Sequence, residues 1–100
     1  MEMRKILMRN YELMCILQPD LDENAFKAAL ERVQGWVGEA GGSVDKTEIW
    51  GRRRLAYAIR KHTEGQYVLL NVTLDPKSTS ALERNIRFLE PVIRHMLTVV

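Results

Sequence analysis

Few side chains in this 100-residue chain have the types and spacing that chemistry requires. The two histidines, His62 and His95, each stand without a motif that would pair them with a nucleophile or a second acid. The single cysteine, Cys15, lies in the strand-like run YELMCIL and reads as a small buried hydrophobe rather than a reactive thiol. One thiol can form neither an internal disulfide nor a thiolate zinc cage. The pair Gly41-Gly42 follows a helix-like segment instead of opening one, the wrong order for a loop that cradles phosphate. These residues therefore predict no catalytic centre, no metal, no cofactor and no small-molecule substrate. What remains is charge: Arg52, Arg53, Arg54, Arg60 and Lys61 fall within ten residues free of acids, interleaved with Trp50, Tyr57 and His62. Guanidinium groups pair with phosphate and stack on bases, so this mixture suits a nucleic-acid surface, with a solvated face as the plainer alternative.

The distribution of charge sharpens that reading. The net charge of +2 is uninformative, yet residues 1–48 carry −3 and residues 49–100 carry +5. A chain of this length buries about two-thirds of its unfolded surface and has little volume for a closed catalytic cavity. The apolar runs fall far short of the roughly 20 residues of a membrane span. The opening MEMRKILMRN lacks the apolar region and cleavage site of a secretory signal, so an intracellular chain with no membrane partner is expected.

The elements that must position these residues follow from periodicity. Tyr11–Leu17 reads as a first strand ended by Gln18-Pro19-Asp20. Asp22 stands where an N-cap belongs, and Phe26, Leu30, Val33, Val37 and Ala40 recur at helical steps up to Gly41-Gly42. Val44 to Ile59 predicts a long bent strand with a bulge near Gly51, and the polar stretch Lys61–Gln66, with Gly65, predicts the hairpin connection. Val68, Leu70, Val72 and Leu74 alternate with their neighbours as a third strand. Asp75-Pro76 opens a second helix carrying Leu82, Ile86 and Leu89 on one face, Pro91 stops it, and VIRHMLTVV makes a last strand. The order strand, helix, strand, strand, helix, strand predicts an α+β, ferredoxin-like βαββαβ sandwich: a four-stranded antiparallel sheet with both helices on one face and the other face free.

The stretch Gly51-Arg52-Arg53-Arg54-Leu55-Ala56-Tyr57-Ala58-Ile59-Arg60 resembles the signature of the small-subunit ribosomal protein six family, of bacterial and organellar type. Met8-Arg9-Asn10-Tyr11-Glu12 is similar to that family's usual start, and the order of elements agrees with its fold over residues 8–100. The resemblance implies a structural constituent of the small ribosomal subunit that binds the central domain of small-subunit rRNA in concert with small-subunit ribosomal protein eighteen, on a cytoplasmic or an organellar ribosome. Carried over by position, it implies rRNA contacts by Arg9, Arg87 and Arg94, then by Arg53 and Arg54, with Arg52, Arg60, Lys61 and Arg84 as weaker rRNA or partner contacts. Leu55, Tyr57 and Ile59 are expected to pack, and where exposed to form the partner-protein surface. Ile93 stands where the family has an arginine in its last strand. Residues 1–7 precede the family's usual beginning and read as an N-terminal extension, either disordered or upstream of an alternative start at Met8. Two other classes fit the residues less well: a small enzyme using His62 or His95 as base, which lacks the rest of a constellation, and an oligomerisation module pairing through sheet edges.

Overall fold

The computed structural model describes residues 7–100, so the expected extension 1–7 lies, but for Leu7, outside the described residues. The elements run β1 (Arg9–Leu17), α1 (Glu23–Glu39), β2 (Ser43–Ile59), β3 (His62–Leu74), a 3-10 turn (Pro76–Ser78), α2 (Thr79–Arg87) and β4 (Val92–Val99). They build one antiparallel sheet in the order β2-β3-β1-β4, the expected βαββαβ sandwich.

Alternation decides which face each strand side chain takes. Tyr11, Leu13, Cys15 and Leu17 of β1, with Val68, Leu70, Val72 and Leu74 of β3, are all buried beneath Phe26, Ala29, Val33 and Val37 of α1 and Leu82 and Ile86 of α2. Burying each of these larger aliphatic side chains stabilises by about 2 kcal/mol, so the core rests on the two central strands. Leu30 and Leu89, expected on the apolar faces of the helices, are only partly buried and pack against the rim of this core, while Ala29 takes a central place.

The junctions are specified locally. Asp22 caps α1 by accepting from the Ala25 N–H at 2.7 Å. At the other end the Gly41 N–H donates to Gly38 O and the Gly42 N–H to Val37 O, both at 3.0 Å, the paired bonds of a Schellman ending. Gly41 supplies the positive φ (83°) which that ending requires. The Asp75 carboxylate accepts from the Lys77 N–H and starts the 3-10 turn that leads into α2.

One expectation changes and another holds. The connection between β2 and β3 is a two-residue turn, Arg60-Lys61, with φ of 50° and 68°. Positive φ at both positions matches the right-handed strand twist, and such turns usually carry Asn or Gly, which is why the residues gave no turn signal. His62 to Gln66 is therefore strand rather than loop, and Gly65 is buried against Ile16. The bulge near Gly51 is present, with Trp50 the extra residue between Ile49 and Gly51, and Gly51 at φ 87°.

Burial also sets the chemistry of Cys15. Desolvation of the thiolate pushes the thiol from the usual 9.0 up to about 12. An unfolded chain ionises near 9.0 while the folded one does not, so this contribution is whole below that pH and is lost as pH rises towards about 12. The stability advantage of the wild type over Cys15→Ala should shrink by on the order of 1 kcal/mol per pH unit above that threshold, read from urea titrations. An advantage independent of pH would mean that the thiol reaches solvent.

Candidate nucleic-acid and partner interface

The sheet face without helices is divided lengthwise. Opposed pairs at one end are polar: Asn10 faces Thr73, and Glu12 faces Asn71 and Thr98. Thr73 is bonded there to Asp45 and Asn10. At the other end Met14 faces Leu69 and Met96, and Ile16 faces Tyr67 and Arg94.

Two irregularities shape the apolar end. On β4, Ile16 and Leu17 pair with Arg94 and Val92, leaving Ile93 as an extra residue. This bulge sends Val92 into the main core, keeps Arg94 on the open face, and lets Ile93 join Ile16 and Leu55 in a second small buried cluster. On β2, register is lost between Arg54 and Ile59, and Leu55, Tyr57 and Ile59 lie over the end of the sheet. Together with Ile16, Tyr67, Met96 and Arg94 they line an open groove of about 230 Å³.

The guanidinium carbon of Arg94 lies 5.9 Å from the Tyr57 ring centroid, and its Nη1 donates to the Tyr57 hydroxyl. Tyr57 is 60 % exposed, whereas Leu55 is buried and Ile59 half-buried. The three residues expected to act alike thus divide: Leu55 packs, Tyr57 is presented to solvent, and Ile59 lies between.

The basic residues do not form a single patch. Arg87 ends α2 and Arg84 lies one turn earlier, both exposed. Arg60, at the tip of the β2–β3 hairpin, reaches that same end and donates from Nη1 to Glu90 O at 3.4 Å, with Lys61 exposed beside it. Arg94 belongs to this end as well. Arg9 opens β1, seven residues before the Ile16 that opposes Arg94, about 23 Å away along the strand. Arg52 is engaged within the fold, donating to Pro19 O and lying 3.4 Å from a Glu64 carboxylate oxygen. Arg53 stacks 5.4 Å from the Trp50 ring centroid, and Arg54 is exposed.

Periodicity did not reveal Ile16, Tyr67 and Met96 as lining residues, because a strand residue on an uncovered face looks like any alternation partner. Neither histidine stands in a catalytic arrangement among the described residues. His95 Nε2 lies 3.2 Å from Glu83 Oε1, a bond between β4 and α2, and His62 is the first residue of β3.

Relatives and solved structures give this surface its context. The chain is 46 % identical over 90 residues to small ribosomal subunit protein bS6 of Clostridium botulinum (strain Hall), covering 90 % of this chain and 96 % of that one. It is 47 % identical over 87 residues to small ribosomal subunit protein bS6 of Nocardia farcinica, covering 87 % and 92 %. The crystal structure of 30S ribosomal protein S6 from Thermotoga maritima superposes with a TM-score of 0.87 at 32 % identity, over 94 % of this chain and 89 % of that one. A βαββαβ sandwich with these likenesses is a ribosomal protein, a structural constituent and not an enzyme. The chain belongs to the ribosomal protein S6 family, whose model matches residues 10–98.

Proposed function

We propose that this small-subunit protein binds the central domain of small-subunit rRNA together with small-subunit ribosomal protein eighteen, during assembly and in the translating ribosome of the bacterial cytoplasm. The observation that carries the reading is the joint between Arg94 and Tyr57: one guanidinium belongs both to the basic end and to the rim of the apolar groove. A partner chain seated in the groove covers one side of that joint and leaves the other towards phosphate. Arg87 and Arg94 contact rRNA in this reading, with Arg60, Lys61 and Arg84 around them and Arg53 and Arg54 along β2. Arg9 contacts the RNA separately from the far end of β1. Leu55, Tyr57 and Ile59 meet the protein partner.

The test is binding to a labelled central-domain rRNA fragment, against excess unrelated RNA, with and without the partner protein. Strong binding that depends on the partner supports the reading. Equal, salt-sensitive binding to every RNA, with or without the partner, defeats it. The groove is tested separately by calorimetry with the partner alone. Tyr57→Ala should lower that affinity by about 2 kcal/mol, the cost of truncating an anchoring aromatic, while costing the fold only the cation–π contact with Arg94, about 0.5–1 kcal/mol. A change below about threefold would remove Tyr57 from the interface.

A further inference from the structure

Phe88 is the most exposed large apolar side chain among the described residues, at 78 %. The fold does not use its ring. Phe88 is the C-cap of α2, held by its backbone N–H to Asn85 O and Ile86 O, while Ile86 and Leu89 on either side turn inward to the core. A ring that could gain about 2 kcal/mol by burial is instead held outward on a short, capped helix.

Its surroundings indicate what would cover it. Arg84 and Arg87 occupy the last turn of α2, and Arg60 reaches Glu90 O two residues beyond the ring. These cations offset the partial negative charge of the α2 carbonyl end, which would otherwise repel an anionic partner. An apolar protein segment would be poorly matched to a lone ring among cations, and the apolar groove lies on the sheet face opposite α2. A nucleobase matches both features, because its face is uncharged and its flanking phosphates are negative.

We propose that Phe88 is a base-stacking residue: its ring covers the face of an unpaired base in the rRNA, and Arg87 and Arg60 pair with the phosphates on either side. The inference rests on the rRNA reading above and adds a contact of a different kind. Arginine contacts read charge and shape, whereas a stacked ring requires a base that has left its helix.

The test uses the full chain, with its partner, on the central-domain rRNA fragment at three salt concentrations. Phe88→Ala and Phe88→Leu should each weaken binding roughly tenfold, with the salt slope and melting temperature unchanged, and Phe88→Trp should bind as the wild type does. Wild-type affinity for Phe88→Leu would show an apolar contact without stacking and overturn the proposal. Wild-type affinity for Phe88→Ala, alongside a loss with Arg87→Ala, would overturn stacking and leave the rRNA reading intact. A wild-type protein without preference for this RNA over unrelated RNA would overturn both.

Discussion

Gly42→Ala is expected to destabilise the protein by about 3 kcal/mol, at the upper end for forced overpacking. The same change at Gly41 is expected to cost about 1 kcal/mol, although only Gly41 has a positive φ. The ordering follows from what each new methyl group would meet. At Gly41 nothing lies within 4 Å. At Gly42 a Cβ would fall 2.3 Å from Thr73 O, 2.7 Å from Leu74 Cδ2 and 3.3 Å from Val37 O. Thr73 belongs to β3, which is paired on one side with β2 and on the other with β1, so its carbonyl cannot retreat without disturbing both ladders. Val37 O already accepts the bond that ends α1. Urea unfolding of the two variants decides the matter. A Gly41→Ala penalty larger than that of Gly42→Ala would mean that the chain passes from helix to strand with more room than this geometry gives it.

The double change Arg87→Ala, Arg94→Ala should weaken rRNA binding roughly a hundredfold at moderate salt. Each charge-assisted hydrogen bond to phosphate is worth about 1.5 kcal/mol, or roughly tenfold. The logarithmic salt dependence should flatten by just under one unit for each phosphate left without its arginine. Arg87 has no ion-pair partner among the described residues, so its removal costs the fold only its favourable interaction with the carbonyl end of α2, about 0.3–1 kcal/mol. Removing Arg94 also releases Tyr57 from its cation–π contact, a stability loss of about 0.5–1 kcal/mol at an exposed site. Affinity and slope must change together for the assignment to hold. A variant that bound more weakly with an undiminished slope would have an altered shape and intact phosphate pairing.

The legible parts of this molecule were those written in periodicity. Alternation through Val68–Leu74 and helical steps through Phe26–Val37 identified the sheet centre and its cover, because burial on one face leaves a period in the residues. The hairpin tip was not legible, since Arg60 and Lys61 hold a backbone shape that usually needs Asn or Gly, and the polar residues after them imitate a loop. The site was legible as charge but not as geometry. Arg52 belongs to the same basic run as Arg54, yet Pro19 and Glu64 engage it, and those partners lie far off or across the hairpin. The joint of Arg94 with Tyr57 spans 37 residues and depends on the β4 bulge at Ile93, a position that carries no turn residue to announce it. Phe88, by contrast, could have been found: it falls between Ile86 and Leu89, off the stripe that Leu82, Ile86 and Leu89 define.

The 17-residue β2 lies at the margin of the sheet, where one side of its backbone has no neighbouring strand. An uninterrupted margin of that length would invite the same strand of another molecule to zip onto it, the first step towards an insoluble stack. Its register breaks at three places, between Val44 and Lys46, Ile49 and Gly51, and Arg54 and Ile59. No intact stretch between them is long enough to template many successive bonds, and the arginines of the distal half repel a like-charged copy. The same kinks that bring Tyr57 over the sheet thus also break the margin along which a second copy could add its own strand.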